Sequence, residues 1–154
     1  AMAEALDETE GAKPSSWCDA LGWNSSTPAR LLKQRDPRTQ ILAHRIRIWL
    51  GDNESLASVR ELAKNHSRNA AMQLLLAKAL APSNTEESTQ IARRLAFGSK
   101  PGSELYFQAR WLLIRNKIKT GDTPGAQRDA KKLLAAQPFE SELWKARFED
   151  VANN

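Results

Sequence analysis

Residues Trp111–Pro138 read WLLIRNKIKTGDTPGAQRDAKKLLAAQP. The stretch before Gly121 is rich in leucine, isoleucine, arginine and lysine. The stretch after Pro124 is rich in alanine, leucine, lysine and glutamine. These residues lose little conformational freedom in a helix, and no alternating β-branched run competes with them. Glycine at 121 stops one helix. Thr123-Pro124 opens another, because threonine caps a helix and proline suits its first turn. Phe107, Trp111, Ile114 and Ile118 form an apolar stripe on the first helix, read over about 103–120. Ala126, Ala130, Leu133 and Leu134 form the inward stripe of the second. Pro138 separates this pair from a last helix carrying Leu143, Trp144, Phe148 and Val151 on one face.

The same punctuation recurs upstream. Leu50-Gly51-Asp52 and Thr120-Gly121-Asp122 each close a helix before another opens, and their glycines stand 70 positions apart, two steps of 35. A turn cluster, Pro82–Asn84, falls near the intermediate position. Further helices are expected near 16–21, 27–34, 37–50, 54–64 and 68–80, and a capping-box spacing at Ser83 to Glu86 starts another that runs to Phe97. A period of roughly 34 residues in helix pairs marks a stacked repeat, because one pair cannot bury its apolar face alone.

The segment Trp111–Pro138 resembles a tetratricopeptide unit. Gly121-Asp122 sits at that family's inter-helix turn, Ala126 at its small-residue site, and Pro138 at its repeat-terminal proline. The resemblance extends over 37–152 and is degenerate. Leu113-Ile114 and Lys117-Ile118 replace family positions in the first helix, and Leu56 stands where an alanine is usual. It implies an all-α fold of antiparallel helix pairs stacked as a solenoid, with a C-terminal capping helix. Residues 15–152 would form this repeat domain and 1–14 a disordered acidic tail. Ala126–Glu149 is also similar to a half-a-tetratricopeptide repeat through Pro138, Leu143-Trp144 and Phe148-Glu149. That kinship implies an RNA-associated scaffold.

Charge is unevenly spread. The net charge is +5, yet residues 1–27 carry −4, with Glu4, Asp7, Glu8, Glu10 and Asp19 against Lys13, so the remainder carries +9. A basic body favours acidic partners or nucleic acid, and otherwise serves as a solvated helical surface. Cys18 is the single cysteine, which rules out an internal disulfide. No apolar run approaches a membrane span, and the first residues lack the pattern of a secretion signal. A soluble, cytoplasmic setting is the expectation.

Catalytic and cofactor signatures are not found in the sequence. His44 and His66 fall on different expected elements, without the compact ligand spacing that zinc needs. His44, flanked by Arg45 and Arg47, is expected on a basic helical face, and His66 in a turn. Cys18 lies beside Asp19, whose charge disfavours a thiolate. No phosphate-binding glycine loop follows a strand. The expectation is a non-catalytic scaffold without metal or cofactor. A helical regulatory arm of a larger enzyme is the other alternative.

The candidate binding residues are basic. If helix pairs stack regularly, the first helix of each pair lines a concave face. Arg38, Arg45, Arg110 and Lys117 would then share a groove. Guanidinium forks bind carboxylates through paired hydrogen bonds, so the expected ligand is an acidic peptide or helix of a partner protein.

Overall fold

The computed structural model describes residues 54–136, 139 and 141–154, together with 33, 39, 40, 43, 44 and 47. The expected acidic tail, the helices near 16–21 and 27–34, the turn at Gly51, and Cys18, Arg38, Arg45 and Pro138 lie outside the described residues. Every regular element among the described residues is helical. The fold is all-α.

The chain divides into two compact units, Ala1–Glu61 and Leu62–Asn154. In the first, Thr39, Gln40, Ala43, His44 and Arg47 are helical, and helix α1 (Glu54–Asn65) begins. Ala43, His44, Ser55 and Val59 are buried. His44 therefore does not lie on the basic surface its arginine-rich context suggests; it is only 3% exposed.

The second unit carries α2 (Ala70–Leu80), α3 (Thr85–Gly98), α4 (Glu104–Lys119), α5 (Thr123–Ala136) and α6 (Glu142–Asn153). Their starts follow the capping chemistry of the sequence. Asn69 accepts from the Ala71 and Met72 amides, satisfying donors that the first turn leaves unpaired. At α3 the capping residue is Asn84, one position after the expected Ser83. Asn84 accepts from the Glu87 amide at 3.1 Å and donates to the Glu87 carboxylate at 2.9 Å. The reason is that Ser83 and Asn84 both close onto the Leu80 carbonyl, which leaves Asn84 as the last non-helical residue. Ser103 caps α4 through the Tyr106 amide.

The turn between α4 and α5 is a tight joint. The Gly121 amide donates to Ile118 O and the Asp122 amide to Lys117 O, the paired bonds of a Schellman ending. Gly121 has φ 84°, a conformation glycine adopts without steric cost. Asp122 then caps α5, its carboxylate accepting from the Gly125 amide at 2.9 Å. A Cβ at Gly125 would overlap that carboxylate.

Consecutive helices pack on one another from α2 to α6, and α2 also touches α4 directly. A buried polar relay crosses the first three. Asn116 on α4 donates to Ser88 Oγ (2.9 Å) and Thr89 Oγ1 (3.1 Å) on α3, and Ser88 Oγ donates to Ala77 O on α2 (2.7 Å). Asn116 and Ser88 are buried, so these bonds satisfy groups that would otherwise be desolvated without a partner.

The far end is an aromatic core. Phe148 of α6 lies 5.8–6.1 Å from the rings of Phe107, Trp111, Phe139 and Trp144. Ala126, Ala130 and Leu133 of α5 close the cluster, as their spacing predicts, with Leu134 packed against it. The stripe on α4 is only partly as expected. Phe107 and Ile114 are buried, whereas Ile118 is 41% exposed. Tyr106, Ala109, Leu112 and Asn116 are buried as well, because α4 is packed by several neighbours rather than along one stripe. Leu143, in the first turn of α6, is also exposed.

Candidate partner-binding surface

Helix α4 presents two flanks, separated by its register. Arg110 and Lys117 are seven positions apart, two turns along one side of the helix. Arg110 meets α3 and Lys117 meets α5. The Arg110 guanidinium lies 5.8 Å from the Phe97 ring of α3 and 5.1 Å from the Tyr106 ring. Its Nε is buried without a hydrogen-bond acceptor. Lys117 Nζ donates to Asp129 of α5 at 2.7 Å. The structure thus brings Arg110 and Lys117 to one flank, each with an intramolecular contact.

The other flank joins α4 to α2 and α6. Gln108 accepts from Lys78 Nζ of α2 at 3.2 Å and donates to Glu104. Glu104 in turn accepts from the Trp144 indole of α6 at 2.8 Å. One and two turns further along the same register stand Trp111 and Arg115. Arg147 of α6 stacks 4.9 Å from the Trp144 ring and 5.9 Å from that of Trp111. Such contacts hold a guanidinium in place with about 0.5–1 kcal/mol each. Arg115 is exposed. Partial burial, and secondly the positive charge of Arg147, pull its guanidinium below the usual arginine value. It stays charged near neutral pH, since an arginine titrates far above it.

No family model, curated protein or solved structure matches the chain. Among the described residues, no group of three or more histidine, cysteine, aspartate or glutamate side chains is placed to hold a metal ion. No helix among them is long and apolar enough to cross a membrane.

The contact of Arg147 with the Trp144 and Trp111 rings is not among the candidates that the repeat pattern supplies. Its signal lies in two local spacings. Trp111 and Arg115 are four apart and Trp144 and Arg147 three apart, so each arginine shares a helix face with a tryptophan. What no local spacing reveals is that the two faces meet. Phe97, 77% exposed beside Arg110, likewise reads in the sequence only as a helix end.

Proposed function

We propose that this chain is a non-catalytic, tetratricopeptide-like scaffold that binds an acidic segment of a partner protein on a basic helical face. The observation that carries the reading is the alternate contact pattern. Helix α2 touches α4, and the side chains of α4 meet those of α6, so the first helix of each pair adjoins the next. Stacking of that kind lays a continuous face along successive first helices, which is how helical repeats present an extended ligand site. The charge of +9 beyond residue 27 supplies the electrostatic attraction for an acidic ligand. Arg38, Arg45, Arg110 and Lys117 remain proposed contributors to that attraction.

The test is cross-linking capture with the full chain in nuclease-treated lysate, with the cross-linked residues mapped by mass spectrometry. The scaffold reading expects protein partners linked through acidic segments, weakened by the charge reversals Arg45→Glu and Arg110→Glu. Partners that disappear on nuclease treatment, with affinity falling steeply as salt rises, would replace it with an RNA-associated scaffold.

A further inference from the structure

A single exposed apolar side chain is ordinary on a protein surface. Phe97, near the end of α3, does not stand alone. It is 77% exposed, and the Arg110 guanidinium lies over its ring at 5.8 Å from the centroid. The same guanidinium lies 5.1 Å from the buried Tyr106 ring, so two π contacts hold it. With one face against Arg110, the Phe97 ring keeps its other face open to solvent. Arg93 and Arg94, four and three positions earlier, stand one turn back on the same side of α3, and both are exposed. Lys100, also exposed, follows in the turn. Residues 88–103 hold these three cations and no carboxylate. No carboxylate among the described residues pairs with Arg93, Arg94, Lys100 or Arg110. Glu104, next along the chain, is engaged by Gln108 and the Trp144 indole on the other flank of α4.

A protruding ring with an open π face, ringed by cations, suits an anionic ligand that carries flat apolar groups. An acidic side chain is charged but not flat, and a ring that stands out from a helix gives a peptide no pocket. A single-stranded nucleic acid supplies both features, because every base has a π face and every linkage a phosphate. We propose that Phe97, backed by Arg110 and flanked by Arg93, Arg94 and Lys100, is a stacking platform for single-stranded nucleic acid. An unpaired base lies on the free face of Phe97, and the surrounding cations take the neighbouring phosphates. A duplex, whose bases are already stacked and paired, offers no such face. This activity is additional to the protein partner of the scaffold reading, and it centres on α3 in place of the row of first helices.

Fluorescently labelled oligoadenylate and its deoxy counterpart, titrated against the full chain by anisotropy over a salt series, test the platform. Phe97→Ala should weaken binding about tenfold with the salt dependence unchanged, since stacking releases no counterions. Phe97→Trp should bind at least as well as the parent. Arg93→Gln/Arg94→Gln should weaken binding and flatten the salt dependence, because about 0.7 of a counterion is released for each phosphate neutralised. Lys131→Gln/Lys132→Gln removes the same charge from exposed positions on α5 and should stay within about twofold. Far-UV circular dichroism of each variant separates lost binding from lost fold. Binding of either strand that depends on Phe97 supports the platform, and a preference between the two names the sugar. A parent chain that binds neither strand overturns it, as does unchanged affinity in Phe97→Ala. Equal losses in the two double variants would mean diffuse charge and also overturn it. A glutamate-rich peptide that displaces the strand, and itself loses affinity in Phe97→Ala, would assign the patch to a protein partner instead. Arg110 is left intact in every variant, so nuclease-resistant protein partners test the scaffold reading separately.

Discussion

Asn116→Ala breaks the polar relay at its centre. It removes the bonds to Ser88 Oγ and Thr89 Oγ1 and leaves Ser88 still donating to Ala77 O. An intramolecular hydrogen bond contributes about 1 kcal/mol net. The Thr89 partner is half-buried and recovers part of its bond from water, while the missing amide leaves a small void beside a fully buried serine. These effects together give a loss of about 2–3 kcal/mol. For a unit of this size, that lowers the melting temperature by about 10–20 °C. Urea titration followed by circular dichroism, with hydrogen exchange of the α2–α4 amides as a local readout, measures it. Asn116→Leu restores volume without polarity and should lose less. Ser88→Ala combined with Asn116→Ala should show a coupling of about 1 kcal/mol. A loss under about 0.5 kcal/mol for Asn116→Ala, or strict additivity with Ser88→Ala, would mean the relay does not fasten these helices.

Three further outcomes follow from the packing. Phe148→Ala should cost about 3–5 kcal/mol, since it empties a site touched by four other rings; an unchanged urea midpoint would contradict that core. Asp122→Ala should cost about 1 kcal/mol in the parent but little in a Gly125→Ala background, because the added methyl already displaces the capping carboxylate; equal costs in both backgrounds, read from melting temperatures, would refute the cap. Lys117→Ala should change stability by less than about 1 kcal/mol, as both partners of its ion pair are substantially exposed; a larger loss in urea would show that Lys117 is needed for the fold itself.

The helix boundaries were legible because they are written in local chemistry. Asn69, Asn84, Ser103 and Gly121 act within a few residues of their own positions. The inward faces of α5 and α6 were also readable, apart from Leu143, because each helix buries one main stripe. Helix α4 defeated that logic. A helix packed by several neighbours buries Tyr106, Leu112 and Asn116 off the expected stripe and leaves Ile118 at its exposed last turn. Asn116 carries no sequence mark of burial, because its partners lie 27 and 28 residues away. The candidate site was legible as a class of residue and not as a place. Arginines on α4 were evident, but whether they meet α3, α5 or α6 depends on long-range packing that periodicity does not encode.

Asp122 belongs to two helices at once. Its amide ends α4 at Lys117 O, while its carbonyl and carboxylate begin α5 at the amides of Ala126 and Gly125. The joint has no spare residue, and the chain doubles back so closely that Asp129 meets Lys117. This makes the connection a poor place to cut or lengthen the chain. An insertion there, or new termini made by circular permutation, would dissolve the ending of one helix and the start of the next in a single step. The Ser99–Ser103 connection ends on a serine that caps only α4. Tags, split points and inserted reporters belong there.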